Sequence, residues 1–397
     1  MKAVGIIAEY NPFHLGHLHQ IQQVRGILGP DTAVVAAMSG HFVQRGDFAI
    51  MDKWARAEAA VRSGVDLVLE LPLPAVLSSA EGFARGGVGL LAATGAVTHL
   101  AFGTEAERLQ ELEEAARILD GAGKRISAQM TDGLSYAAAC EAVVRDAGGN
   151  GDILTKPNNI LGIEYLRALR RLDAPMTPIA IPRKGADHDS MDLTPEIVSA
   201  AAIRRRVVRG EDPPNTLPKA SADVLRRALA DGRAPVTMEN AEQALLALLR
   251  RGAEAGFQDI PDVSEGLENR LQRAVMTSGS LGEIIRKTKT RRYPESRIRR
   301  LILNSCLGIR AADRTEAPVY IKILALNETG RRILRQMSQT GAVPVLTRPA
   351  AVRRLSEAAG RRAALEAMAT DLYVLGSPNP DRWRPGREWR DGPLVTK

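Results

Sequence analysis

Short apolar runs alternate with longer amphipathic stretches over the first two hundred residues. Val4–Ala8, Ala33–Met38, Leu67–Leu71 and His99–Phe102 are compact apolar runs bounded by turn residues. That is the pattern of strands buried on both faces of a parallel sheet. Between them, Gly16–Leu28, Lys53–Ser63, Ala80–Thr94 and Ala106–Leu119 carry helical spacing and helix-forming residues. Strand alternating with helix predicts an α/β, Rossmann-like domain whose sheet is covered on both faces by right-handed crossovers. Ligands on such sheets bind beyond the carboxyl ends of the strands, where strand order reverses. The loop that leaves the first strand at Glu9 is therefore the expected site.

The texture changes around Arg204–Pro218, where three arginines precede Glu211-Asp212-Pro213-Pro214-Asn215, a composition suited to a linker or domain edge. Ala241, Leu245, Leu246, Leu248 and Leu249 mark helical periodicity within 220–310, and strand-like runs return at Val319–Leu326 and Val343–Leu346. The expected division is an α/β ligand-binding domain over 1–210, a mainly helical region over 211–315 and a small C-terminal α/β module over 316–397.

Composition narrows the class. The chain has 397 residues, 45% of them apolar, enough for two or three cored domains. The two cysteines, Cys140 and Cys306, are far apart and lack partners at metal-ligand spacing, which disfavours a disulfide framework or a structural zinc site. Met1–Ile7 passes directly into Glu9 and Asn11 without a signal-peptide core, and no apolar run reaches bilayer length. A cytoplasmic protein without a membrane partner is expected. The net charge of +8 is uneven: residues 1–210 sum to −2 and residues 211–397 to +10. That excess suits a polyanionic partner such as nucleic acid, although arginine is abundant throughout.

The most chemically loaded segment is His14-Leu15-Gly16-His17, directly after a strand and at the start of a helix. A helix N-terminus offers unpaired N–H groups and positive potential to phosphate. Gly16 permits close backbone approach, and Pro12 fixes the entering chain. Two imidazoles three positions apart share one side of the first turn, where they can stabilise charge moving onto phosphate oxygens.

This segment resembles the HxGH signature of the nucleotidyltransferase superfamily. The longer stretch Gly5-Ile6-Ile7-Ala8-Glu9-Tyr10-Asn11-Pro12-Phe13-His14-Leu15-Gly16-His17 is similar to the start of the bacterial tRNA(Met) cytidine acetate ligases. Further blocks follow in family order: Ser39–Asp47, Asp52–Arg56, Gly64–Pro72, Phe102–Glu105, Lys156–Gly162 and, in the basic half, Arg291–Tyr293 with Ser296–Arg300. The resemblance implies a two-step reaction. ATP and acetate form acetyl-adenylate, and the acetyl group then passes to N4 of the wobble cytidine of elongator tRNA(Met). It also implies that ATP is held by Ile7, Ala8, Glu9, Tyr10, Asn11, Pro12, Phe13, His14, Leu15, Gly16, His17, Leu18, His19 and Gln20, together with Gly103, Asn159, Arg183 and Lys184. His14 and His17 take the catalytic role. Magnesium is expected with the triphosphate, but no carboxylate cluster identifies protein ligands for it.

Related nucleotidyltransferases carry a second, Ser/Thr-rich signature opening a helix. Here it reads Ser199-Ala200-Ala201-Ala202-Ile203-Arg204, with a threonine hydroxyl missing. Ser199 and Arg204 are secondary phosphate candidates, and Arg204–Arg206 is alternatively a solvated helix face. Eight of the 15 residues from Arg286 to Arg300 are basic. Arg286, Lys287, Lys289, Arg291, Arg292, Arg297 and Arg300 are the candidate RNA contacts, with Tyr293 available to stack on a base. A small-molecule adenylyltransferase and a non-catalytic, ATP-responsive RNA-binding protein remain the alternatives. His41, His188, Asp189 and Cys140 carry no assigned role, and Trp54 is expected to pack beside the sheet.

Overall fold

A computed structural model describes residues 2–106, 108–131, 134–183, 198–212, 215–263, 266–314 and 317–396. Lys184, His188 and Asp189 lie outside the described residues. The first part of the chain runs β1 (Ala3–Ala8), α1 (Leu15–Leu28), β2 (Ala33–Ser39), a small hairpin of β3 (Phe42–Val43) and β4 (Asp47–Phe48), α2 (Lys53–Arg62), β5 (Leu67–Leu71), α3 (Leu73–Val76) and α4 (Ala80–Ala93). It continues through β6 (His99–Thr104), α5 (Leu109–Asp120), α6 (Gly123–Thr131), α7 (Tyr136–Asp146), α8 (Pro157–Arg171) and β7 (Thr177–Pro182). Next come α9 (Ala200–Val208), α10 (Lys219–Ala230), α11 (Glu242–Ala255), α12 (Leu267–Met276), α13 (Leu281–Thr288) and α14 (Glu295–Cys306). The chain closes with β8 (Ile321–Leu326), α15 (Glu328–Thr340), β9 (Val345–Leu346), α16 (Glu357–Val374) and β10 (Leu394–Val395).

The main sheet has the order β10-β8-β5-β2-β1-β6-β7, with β9 on β8. Strands β5, β2, β1, β6 and β7 pair in parallel, with Val4 opposite both Val34 and His99. Every residue of β2 is buried, which explains its unbroken apolar run. The order reverses between β1 and β6, so the loop leaving β1 sits at the switch point. One face packs against α4, α5 and α8 through Phe83, Leu91, Leu112 and Ile163. The opposite face packs against α1, α2, α9 and α10 through Ile21, Ala57, Ile203 and Leu225.

The three-part division is redrawn by the packing. Helix α10 belongs to the first core, and Arg204–Arg206 lie in α9. The stretch 316–397 forms no sheet of its own. Strand β8 pairs antiparallel with β5, Leu67 opposite Leu326, and β10 extends it in parallel. Without β8 the apolar edge of β5 would present unpaired N–H and C=O groups. Helix α15 buries Ile333 and Met337 on the α/β core, while α16 places Leu372 and Tyr373 in the core of the helical region with Leu249, Leu301 and Phe48. No helix among the described residues is long and apolar enough to cross a membrane.

Candidate active site

Helix α1 starts with two histidines that cap it reciprocally. His14 Nδ1 accepts the Gly16 N–H at 3.0 Å, and His17 Nδ1 accepts the His14 N–H at 3.1 Å. The rings stack with centroids 3.8 Å apart. Because both Nδ1 atoms accept, the neutral rings carry their protons on Nε2, which makes Nε2 the donor nitrogen. His17 rests on Tyr10 and Phe13, at centroid distances of 4.9 and 5.4 Å.

The loop before α1 is held by alternate carbonyls. Glu9 C=O accepts from Arg56 Nη1, Asn11 C=O from Arg204 Nη1 at 2.9 Å, and Phe13 C=O from the Ser221 hydroxyl at 2.7 Å. Arg56 is fully buried and also donates to the carbonyls of Ser39, Gly40 and Met51, tying the ends of β1 and β2 together. The side chains of Glu9 and Asn11 are used structurally: Oε1 accepts from Gln44 N at 2.8 Å, and Oδ1 from Ile50 N at 2.9 Å. Tyr10, Asn11, Pro12 and Phe13 are buried, and a Cβ on Gly87 would lie 2.6 Å from Ile7 Cδ1. Among the expected ATP contacts, these side chains therefore support the loop. Leu15, Gly16, His17, Leu18, His19 and Gln20 are half-buried along α1, and Gln20 reaches Ala101 C=O at 3.4 Å.

Gly103, Asn159 and Arg183 come together at the ends of the neighbouring strands β6 and β7. Asn159 Oδ1 accepts from Thr104 Oγ1, Glu105 N and Ala106 N at 2.8–3.0 Å, which leaves its amide nitrogen for any ligand. Arg183 lies over Gly103, whose missing Cβ would meet Arg183 Cγ at 3.4 Å. Its guanidinium reaches Asn158 Oδ1 at 3.4 Å. Ser199 caps α9, accepting from Ala202 N at 3.2 Å. Gly103 and Arg183 lie at the carboxyl ends of β6 and β7, on the side of the sheet where α1 begins, while Asn159 sits in the first turn of α8 and Ser199 at the start of α9.

The basic cluster requires two corrections. Tyr293 is only 9% exposed and sits in the helical core with Arg297 stacked over its ring at 5.0 Å, so it cannot receive a base. Arg300 is 8% exposed and donates to Gln44 C=O at 3.2 Å, and burial pushes its guanidinium down to about 10. The amphipathic repeat of α14 turns it inward. Arg286, Lys287, Lys289 and Arg291 are exposed, whereas Arg292 and Arg297 are half-buried.

A buried ion cage stands beside the loop. Lys53 Nζ lies 2.6 Å from Glu70 and 2.8 Å from Glu388, and Lys322 pairs with the same two carboxylates. Burial alone would raise Glu70, but Lys53 and Lys322 hold it below the usual carboxylate range. Lys322 is pushed down to about 8 by burial and by Lys53. Among the described residues, Glu70, Glu366 and Glu388 are the one set of three carboxylates close enough to share an ion. The two ammonium groups already supply the positive charge there. His41 is buried between Trp54 and Tyr373, and burial, followed by Lys53 and Arg387, holds it well below its ordinary value.

A family model described as HIGH Nucleotidyl Transferase matches residues 1–385. The tRNA(Met) cytidine acetate ligase of Acetivibrio thermocellus is 35% identical over 415 aligned residues, covering 100% of both chains. The chain belongs to the tRNA(Met) cytidine acetate ligase family. The ligase of Syntrophotalea carbinolica is 40% identical across 87% of this chain and 85% of its own. The apo structure of Thermotoga maritima TmcAL is similar with a TM-score of 0.93 at 33% identity, covering 100% of this chain and 99% of that one. The same protein bound to alpha-thio ATP gives 0.91 at 34% identity with the same coverage.

Within this ligase family member, sequence reasoning missed Arg56, Ser221 and the ion cage. A signal for Arg56 was available: an arginine on a helix whose other positions are mostly alanine and valine is placed to be buried. Glu388 and Lys322 gave none, because their partners Lys53 and Glu70 are remote in sequence.

Proposed function

We propose that the chain joins acetate to ATP as acetyl-adenylate and then transfers the acetyl group to N4 of the wobble cytidine of elongator tRNA(Met). The reciprocal histidine cap at the switch point carries this reading, because it stacks two imidazoles, each with Nε2 as its donor nitrogen, at the start of α1. The first-turn N–H groups of Leu15, Gly16 and His17 are already taken by Thr216 C=O, His14 Nδ1 and His14 C=O. An acetate oxygen attacks the α-phosphorus while the bond to the β-phosphate oxygen breaks, and pyrophosphate leaves. His14 and His17 stabilise the charge that accumulates on the phosphates. The cytidine amine then attacks the acetyl carbonyl, AMP departs, and the nitrogen gives up a proton. Positioning and electrostatics account for most of the first step.

Arg183 and Lys184 supply further positive charge to the triphosphate, and Arg204 fixes the loop through Asn11. Magnesium arrives on the nucleotide, where it would neutralise phosphate charge; the lysine-filled carboxylate cage is not its site. The missing threonine near Ser199 removes one neutral hydrogen bond, worth about 0.5–1.5 kcal/mol, too little to abolish turnover.

Incubation with ATP, labelled acetate and bacterial tRNA, followed by mass spectrometry of the nucleosides, tests the reading. ATP-dependent, labelled N4-acetylcytidine is the expected product. Acetate-independent AMP transfer to a small phosphorylated acceptor would favour an adenylyltransferase instead.

A further inference from the structure

The exposed cluster at Arg286–Arg291 has lost its aromatic partner, since Tyr293 is buried. A second basic surface retains one. Trp389 is 45% exposed at the end of a short 3-10 turn, Arg387–Trp389. It faces a narrow cleft shared with Arg348, Val352, Leu346, Tyr320 and Lys322. Arg348, Arg353 and Arg354 are exposed on and beside a second 3-10 turn, Pro349–Arg354, and their guanidinium groups have no hydrogen bond or ion pair among the described residues. Arg348 lines the cleft with the exposed indole, and Arg353 and Arg354 lie on the turn that follows Arg348. Unpaired guanidinium groups near an exposed aromatic face are the elements that bind a single-stranded nucleic acid, phosphate neutralisation together with stacking.

Two observations separate this tryptophan from an ordinary exposed apolar residue. Trp383 is similarly exposed, at 44%, but its indole N–H is spent on Ser377 C=O at 2.9 Å; the Trp389 indole makes no hydrogen bond. Trp389 also follows Glu388, whose carboxylate is pinned by Lys53, Lys322 and Thr370. The platform is therefore anchored to the protein interior.

Its position suits the reaction. Strand β8 is antiparallel to β5, so Tyr320 and Lys322 at its start lie toward the carboxyl end of β5, the edge that carries the histidine loop. Contacts connect the two places. Lys322 and Lys53 meet Glu70, Glu70 packs on Gly40, and Arg56 binds both Gly40 C=O and Glu9 C=O.

We propose that Trp389, framed by Arg348, Arg353 and Arg354, docks an unpaired segment of the RNA substrate, the indole stacking on a base and the arginines engaging its phosphates. This inference rests on the RNA-acetylating reading given above. The test uses the full chain with Trp389→Ala, Trp389→Phe and the double variant Arg353→Glu/Arg354→Glu. Acetate-dependent ATP–pyrophosphate exchange reports the first half-reaction without RNA. Binding of an unmodified elongator tRNA(Met) transcript is measured in parallel at several salt concentrations.

Exchange stays within about twofold of the parent in all three variants. Trp389→Ala loses roughly tenfold in RNA affinity, as removal of a stacking aromatic does, and Trp389→Phe recovers most of it. The double arginine variant binds more weakly, with a log-affinity against log-salt slope shallower by about 1–2. Parental RNA affinity in Trp389→Ala with exchange intact overturns the proposal. So does a change in self-association in place of RNA affinity, which would assign the surface to a second copy of the chain. If the parent itself lacks exchange yet Trp389→Ala still weakens RNA binding, the docking surface stands and the acetylation reading fails.

Discussion

His14 and His17 each give up Nδ1 to a backbone N–H of the same helix turn, and their rings stack at 3.8 Å. One geometry thus performs two tasks: it caps the helix and fixes Nε2 as the donor nitrogen of each neutral ring.

Substitution can separate those tasks. Asparagine is a good N-cap, so His14→Asn should retain most helix stability, whereas His14→Ala should cost about 0.5–2 kcal/mol. Both should reduce acetate-dependent ATP–pyrophosphate exchange by about 100-fold or more. Thermal unfolding and exchange assays on the pair decide; full exchange in His14→Asn would remove His14 from the catalytic machinery.

Arg56 should behave as a clamp that lysine cannot replace. It serves the carbonyls of Glu9, Ser39, Gly40 and Met51, and a single ammonium cannot span them. Arg56→Lys and Arg56→Met are both expected to lose about 3 kcal/mol or more in urea unfolding. A weaker KM for ATP should accompany the loss, because the loop is released at Glu9. Parental stability in the lysine variant would show that the clamp is dispensable.

Asp52 should contribute an acid-sensitive part of the stability. Burial opposes its ionisation, but Arg387, the Ala55 N–H and Arg233 together hold its carboxyl below the usual range. The folded value thus lies below the unfolded one of about 3.9. The stabilisation is fully present above that pH and is lost as pH falls through the depressed folded value. Asp52→Asn keeps the cap on α2 but loses the charge, so it should be less stable than the parent at pH 7, with a gap that narrows below about pH 4. An equal gap at pH 7 and pH 3 would contradict this account.

The cluster around Arg286 separates into surface and core. Charge reversal at Arg286 and Arg291 should weaken tRNA binding and flatten its salt dependence, with little change in melting temperature. Tyr293→Ala should instead cost about 3–5 kcal/mol, as large-to-small core changes do. Tyr293→Leu, which keeps an apolar core side chain but removes the stacking ring, should leave RNA affinity unchanged; a clear loss there would return the ring to the RNA surface.

The alternation of the first two hundred residues disclosed the parallel sheet because strands buried on both faces must be apolar throughout, as in β2. The histidine loop was legible because its residues are contiguous. Three kinds of information were not. Antiparallel β8 reads like any other buried strand, and its partner β5 is remote in sequence. The ion cage joins residues 53, 70, 322 and 388, whose types are ordinary one at a time. Tyr293 lies within a run of arginines, where local composition implies exposure although tertiary packing buries it.

The pairing of β8 with β5 also has a consequence for the order of events during synthesis. About 250 residues separate the two strands, so ribosomes must complete most of the chain before the edge of β5 can be covered. Until then a nascent chain presents an apolar edge able to recruit a neighbour. Lys322, one of the two cations that neutralise Glu70 beside the loop, emerges at the same late stage. The charge balance beside the histidine loop is therefore completed only after β8 has been made, long after the loop itself.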